Sequence, residues 1–189
     1  MKLHYYLADV VNRGQARPYA LVSMDGGDAV NWHVRANGDD PQRAIVAELL
    51  PRLAATGLIT TKIGLHGVSL GGYGALLLAA RLGSVKTAAV AVSSPAIWQT
   101  YAQAQPGTFD SPEDFARNDL FDLTAQFAGI PLEIDCGSND PFADGVERFR
   151  AQLRPTPAGG IEPGCHDDAF FTRVAERQLI FIGGYLPAL

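Results

Sequence analysis

Cysteine is nearly absent from this chain, with only Cys136 and Cys165 in 189 residues. A disulfide-stapled scaffold is thereby excluded, so an apolar core has to hold the fold. The two cysteines share no Cys-x-x-Cys pattern. No cluster of His, Cys, Asp or Glu has metal-ligand spacing, so neither a metal nor another cofactor is expected. Cationic clusters are also missing. Fifteen Lys and Arg against 20 Asp and Glu leave a net charge of −5, with no basic stripe to hold nucleic acid. No apolar run is long enough to span a bilayer. The longest, Thr87 to Ile97, is broken by Ser93, Ser94 and Pro95. The start, Met1-Lys2-Leu3-His4-Tyr5, lacks the apolar segment and cleavage site of a signal peptide. As it stands the chain reads as cytoplasmic; a signal peptide encoded upstream of Met1 would make it exported. There are no internal repeats. Charged residues make up 19% and hydrophobic ones 47%, the balance of a folded chain rather than a disordered one. At this length residues 1–189 read as one domain with a sizeable core.

Glycine, by contrast, is plentiful, and it concentrates where chemistry is expected. Residues 64–74 read Gly64-Leu65-His66-Gly67-Val68-Ser69-Leu70-Gly71-Gly72-Tyr73-Gly74, followed by the helical run Ala75 to Leu82. This is Gly-x-Ser-x-Gly between a short apolar strand and an apolar helix. The chain must turn sharply there, which leaves Ser69 on a strained, exposed turn. The helix that follows aims its free N–H groups at the site, which suits a transient oxyanion. The bland alternative is a glycine-rich turn without chemistry. A nucleotide-binding turn is excluded, because no Gly-x-Gly-x-x-Gly fits here and no Gly-Lys-Ser/Thr follows.

A serine nucleophile needs a base, and the base an orienting acid. Of four histidines (His4, His33, His66, His166), only His166 follows Ser69. It lies in the polar loop Glu162 to Asp168, directly before the helix Ala169 to Ile180; an ordinary loop histidine is the alternative. The acid is sought after the strand Pro131 to Gly137, in Ser138-Asn139-Asp140-Pro141-Phe142. Asp140 is preferred and Asp135, at the strand end, competes. Asp140 also suits an N-cap for the helix Ala143 to Leu153, with Pro141 in the first turn. Cap and acid are then rival uses of one carboxylate. Asp167 and Asp168 are too near His166 to orient it, but suit a cap for the last helix.

The other elements alternate. Pro18 to Asp25 reads as a strand running into Gly26-Gly27. Asp40 to Gly57 reads as a helix capped by Asp40, with Pro41 in its first turn and Ile45, Leu49, Leu50 and Leu53 as a buried stripe. Thr87 to Ser94 reads as a strand of small residues buried on both faces. Phe115 to Phe127 holds one or two short helices. Strands separated by helices imply a three-layer α/β fold with a mostly parallel sheet. Asp25, Ser69, Ser94, Asp140 and His166 then converge beyond the strands' carboxyl ends. Asp25, Gly26, Gly27 and Trp32 form a second glycine-rich loop at that edge, where they contact substrate or merely turn the chain. Ser94 and Trp98 are further candidates for the substrate pocket, with core packing as the alternative for Trp98. A disulfide between Cys136 and Cys165 would tie the acid and base loops together; two separate thiols are the alternative.

Gly67-Val68-Ser69-Leu70-Gly71-Gly72-Tyr73-Gly74-Ala75 resembles the nucleophile turn of the esterase D branch of the α/β-hydrolases, which runs Gly-x-Ser-Met-Gly-Gly-x-Gly-Ala. That branch includes S-formylglutathione hydrolases, feruloyl esterases and antigen 85 mycolyltransferases. Asp135 to Asp140 resembles its acid loop and Gly164 to Asp167 its histidine loop. The likeness spans roughly residues 18–185. It implies a serine-dependent carboxylic ester hydrolase acting through an acyl-enzyme on a small-molecule ester. Ser69, Asp140 and His166 would be its triad and the Leu70 N–H an oxyanion donor. Leu70 replaces the usual Met, a mild change where only a backbone N–H is needed. The resemblance also implies that the branch's first three strands are absent, together with the His-Gly loop that supplies a second oxyanion N–H. The absent third strand belongs between Pro18–Asp25 and the nucleophile strand, so the sheet should stand open there unless the chain repacks. That loss motivates a catalytically silent hydrolase-like domain or subunit as an alternative. An acyltransferase using the same triad is another. A homo-oligomer is compatible with all of these.

Overall fold

The structure, a computed structural model, describes residues 2–25 and 32–187. Four strands, β1 (Ile63–Val68), β2 (Thr87–Ser93), β3 (Leu132–Gly137) and β4 (Ile161–Glu162), form one parallel sheet in the order β1-β2-β3-β4. Strand order follows chain order, so each connection must cross over a face of the sheet, as parallel pairing demands. The helices are α1 (Leu3–Asn12), α2 (41–55), α3 (Leu70–Lys86), α4 (Pro112–Arg117), α5 (Ala143–Gln152) and α6 (Asp168–Tyr185). This is the expected α/β arrangement of a parallel sheet flanked by helices.

β2 is buried along its whole length. Its run Thr-Ala-Ala-Val-Ala-Val-Ser explains why: small and β-branched side chains let helices approach both faces. α3 is buried without interruption from Gly72 to Ala80, which an all-apolar helix requires. Leu76 and Leu77 of α3 join Val90, Val92, Ile134 and Phe149 in the main core. α1 packs on α6 in a separate small cluster of Leu7, Val10 and Leu179.

Local signals held where a cap or a stop was present. Asp40 accepts the Arg43 N–H (2.9 Å) with Pro41 behind it. Asp167 caps α6 by accepting the Phe170 N–H (2.9 Å). α2 is less regular than expected, because Ala44–Leu49 winds as a π-helix before Leu50–Ala55 resumes. Pro51 has no N–H to offer the preceding turn, a common cause of such a shift.

Two expectations need correction. Pro18 to Asp25 is not a strand: it carries no ladder and most of it is exposed. Strand-forming residues do not make a strand without a neighbour to pair with, and β1 pairs only with β2 among the described residues. For the same reason Ile45, Leu49, Leu50 and Leu53 are only partly buried. Their stripe faces a groove beside β1 instead of closed core. Among the described residues no segment pairs with the other side of β1.

Candidate active site

The turn after β1 places Ser69 at φ 55°, ψ −122°, ahead of the first residue of α3. A left-handed serine costs about 1–3 kcal/mol and persists only when its surroundings fix it. Here they do. The Ser69 N–H donates to the Ser93 carbonyl (3.0 Å), and the Ser69 carbonyl accepts from the N–H groups of Tyr73 and Ala96 (both 3.0 Å). Gly67 and Gly72 are required by space. A Cβ on Gly67 would overlap the Gly71 carbonyl, and one on Gly72 would press on Pro95 at 3.1 Å.

His166 Nε2 lies 3.0 Å from Ser69 Oγ, and His166 Nδ1 lies 2.8 Å from Asp140 Oδ2. A carboxylate only accepts, so the proton between His166 and Asp140 sits on Nδ1. Nε2 is then free to accept from the serine hydroxyl. The imidazole is partly open, at 27% exposure, while the Asp140 side chain is fully buried. The other Asp140 oxygen, Oδ1, accepts the Phe142 N–H (2.9 Å). Asp140 is not the N-cap of α5, which is Phe142 with no side-chain cap bond; its Oδ1 closes the turn before that helix and its Oδ2 orients the histidine. Leu70 is the first helical residue of α3, where a backbone N–H has no carbonyl partner within the helix.

Asp135 is engaged elsewhere. Its Oδ1 meets Arg177 (2.5 Å) and the Gly160 N–H (3.2 Å), and its Oδ2 accepts from Gln178 (2.7 Å). Gln178 in turn accepts from Ser93 Oγ and His66 Nε2 (both 3.0 Å). Burial keeps the His66 pKa low, so it is neutral and donates. This network ties α6 to β1, β2 and β3 beneath the site. Residue spacing gave no sign of it, since its members are spread over more than 100 residues. Phe142 and Phe171 were also missed; their rings flank His166 edge-on at 5.4 and 5.2 Å.

Several of the candidate substrate contacts are buried against other side chains. Ser94 is fully buried at φ 46°, and Trp98 is 8% exposed among Tyr73, Phe109 and Phe142. Trp32 packs over Gly74, with its indole N–H buried and unpaired among the described residues. His33 is fully buried and bonded to Asp114 (3.0 Å). Asp25 is exposed, while Gly26 and Gly27 lie outside the described residues. The cysteines are both free in this structure, the alternative of two separate thiols. Their loops do lie side by side, because the Asn139 N–H donates to the Gly164 carbonyl (2.9 Å). However, Cys136 is buried in the core while Cys165 is exposed to solvent.

A sequence-family profile described as "Putative esterase" matches residues 2–147, more than three quarters of the chain. The chain belongs to this esterase family. The matched region contains Ser69 and Asp140; His166 lies beyond it and is brought in by the fold. No curated protein sequence matches the chain. Among solved structures, a ferulic acid esterase is similar with a TM-score of 0.81 and 18% identity, over 98% of this chain and 78% of that one. An S-formylglutathione hydrolase from Agrobacterium tumefaciens gives 0.67 and 16%, over 95% and 80%. MPT51 of Mycobacterium tuberculosis gives 0.71 and 15%, over 98% and 84%. At such identities the likeness establishes the α/β-hydrolase-like fold. Family membership supports a carboxylic ester hydrolase. None of the described helices is long and apolar enough to cross a membrane, and no described group of His, Cys, Asp and Glu could hold a metal ion.

Proposed function

We propose that this chain hydrolyses a small-molecule carboxylic ester through a covalent acyl-enzyme on Ser69. The observation that carries this reading is the continuous hydrogen-bond chain Ser69–His166–Asp140 at a strained strand-to-helix turn. Ser69 Oγ attacks the ester carbonyl carbon as His166 Nε2 takes its proton. Asp140 holds the Nδ1–H and stabilises the imidazolium that forms. The tetrahedral oxyanion is met by the Leu70 N–H and the N-terminal end of α3. Collapse breaks the bond to the leaving oxygen or sulfur, which takes the proton from His166. Water, deprotonated by the same nitrogen, then attacks the acyl-enzyme and regenerates Ser69.

Only one oxyanion donor is assigned here. An enzyme lacking the second is slower by about 100- to 1000-fold, so turnover is expected to be low while covalent capture stays efficient. The test is labelling with a fluorophosphonate probe together with turnover of p-nitrophenyl acetate. Wild type should label and Ser69→Ala should not, with an unchanged melting temperature. Labelling that survives the substitution would place the nucleophile elsewhere.

A further inference from the structure

His166 serves both halves of the proposed reaction, and it is held differently in each. Before the ester arrives its ring has two hydrogen bonds, Nδ1 to Asp140 Oδ2 (2.8 Å) and Nε2 to Ser69 Oγ (3.0 Å). In an acyl-enzyme the second is gone. Ser69 Oγ then carries the acyl group in place of its hydrogen and can only accept. Nε2 has given its proton to the leaving group and can only accept too. The next step still needs Nε2 aimed at a water beside the acyl carbon, within about 2.6–3.2 Å of the oxygen whose proton it takes.

One hydrogen bond fixes a point on the ring and leaves the ring able to tilt about it. Two phenyl rings stand where they can stop that tilt. Phe142, at the head of α5, meets the imidazole with 5.4 Å between centroids and 63° between planes. Phe171, in the first turns of α6, meets it at 5.2 Å and 86°. These are the separations and angles of edge-to-face aromatic contact. Each ring has its own support. Trp98 crosses Phe142 at 5.6 Å and 85°, and Phe170 crosses Phe171 at 6.3 Å and 83°.

The backbones of both phenylalanines are tied into the same site. The Phe142 N–H donates to Asp140 Oδ1 (2.9 Å), and the Phe171 N–H donates to the carbonyl of Asp167 (3.1 Å), the residue after His166. Core filling is a weak reason for either ring. Phe149 and Phe170, which do fill the core, are at most 1% exposed, whereas Phe142 and Phe171 are only half-buried.

Given an acyl-enzyme on Ser69, the reading on which this rests, we propose that Phe142 and Phe171 are positioning residues for deacylation. They hold the His166 ring in place during the interval when Ser69 cannot, so that Nε2 stays directed at the hydrolytic water. In that step a water proton passes to Nε2 and the water oxygen bonds to the acyl carbon. The bond from that carbon to Ser69 Oγ then breaks, and Oγ takes the proton back from Nε2. Acylation depends on the rings less, because both hydrogen bonds of His166 are in place when it begins.

The test measures the two steps apart with p-nitrophenyl acetate. The first release of p-nitrophenolate in a stopped-flow experiment reads acylation. Loss of the acetyl group from Ser69, followed by intact mass after excess ester is removed, reads deacylation. Phe171→Ala is the main variant, since alanine suits a helix. Its acylation should stay within about threefold of wild type while deacylation slows by about tenfold, the upper range for one edge-to-face pair, so that acetylated enzyme accumulates. Phe142→Ala should show the same selective loss. Phe171→Tyr keeps the ring and should bring deacylation back to within about twofold of wild type. Unchanged deacylation in Phe171→Ala would overturn the proposal, as would equal slowing of both steps or a Phe171→Tyr enzyme as slow as Phe171→Ala. A wild-type enzyme that turns over ester without ever being acetylated at Ser69 would overturn the acyl-enzyme reading itself, and this proposal with it.

Discussion

Asp140→Asn tests the proposed mechanism more sharply than removing the nucleophile, because the structure fixes how the amide would sit. Asp140 Oδ1 accepts the Phe142 N–H and Oδ2 accepts from His166 Nδ1. Asparagine has one acceptor oxygen. If it keeps the Phe142 N–H, its NH₂ group faces Nδ1 and forces the ring proton onto Nε2. The serine hydroxyl then has no base. If the amide flips, His166 keeps its tautomer but the Phe142 N–H meets an NH₂ group, a donor facing a donor in a buried loop, which costs about 1–3 kcal/mol. Loop chemistry therefore favours the inactive tautomer. Turnover should fall by about ten-thousandfold, or about 5.4 kcal/mol of transition-state stabilisation. The melting temperature should change little in the first orientation. Asp135→Asn should do the reverse. Its two oxygens face the Arg177 guanidinium, the Gly160 N–H and the Gln178 amide. Any amide orientation opposes a donor with a donor. Disturbing this buried pairing should cost roughly 3 kcal/mol, or about 6–12 °C for a domain of this size. Turnover per folded molecule should stay within about tenfold of wild type. The assay is p-nitrophenyl acetate hydrolysis normalised to active sites titrated with fluorophosphonate, alongside thermal melts. An Asp140→Asn enzyme within tenfold of wild type, or an Asp135→Asn enzyme losing more turnover than Asp140→Asn, would refute the assignment.

Gly67→Ala forces a methyl group into the Gly71 carbonyl; it should cost about 1–3 kcal/mol in stability and about 100-fold in turnover through displacement of Ser69, and wild-type turnover would show that the turn tolerates a Cβ. Native protein should show one thiol that reacts rapidly with a disulfide reagent, Cys165, because Cys136 is buried and its pKa is pushed up to about 12, chiefly by desolvation and then by Asp140. Denatured protein should show two, and none in denatured, unreduced protein would restore the bridge. Glu133 is buried beside Asp135 and its pKa is raised to about 7, by burial first and Asp135 second. The folded state therefore binds this proton more tightly than the unfolded one, so this group's contribution to stability falls as pH rises from about 4.5 to 7. His66, with its lowered pKa, acts with the opposite sign as pH falls below 6.5. The readout is accordingly the difference between wild type and Glu133→Gln, whose melting temperature should gain on wild type as pH rises from 5 to 8; a constant difference would refute it.

What could be read from the sequence was what local chain chemistry determines. The turn at Ser69 announces itself through glycines that the backbone cannot do without, and the caps at Asp40 and Asp167 through one side chain and a nearby N–H. The order Ser69, Asp140, His166 was legible because the strands and helices carrying those residues each have a strong pattern of their own. The buried network was not legible. His66, Ser93, Asp135 and Gln178 are ordinary residues in their own segments, and they become a unit only when α6 crosses three strands. The free cysteines fell between these cases: adjacency of their loops could be inferred, but the direction in which each side chain points could not.

The segment 18–25 failed for a reason that also bears on the open groove. A strand is not a property of a segment, because its hydrogen bonds belong half to a neighbour. Pro18 to Asp25 has strand-forming residues, and residues 18–24 line the groove, yet the segment pairs with no strand among the described residues. Helices close their own hydrogen bonds, so α1 and α2 form on either side of it regardless. The same asymmetry lets α2 and α6 line the groove, through Leu49, Leu53 and Ile182, without a strand between them. Beside β1, which pairs on one side only among the described residues, the groove therefore joins strand backbone to the apolar side chains of α2 and α6, because helices form without a neighbour and strands do not.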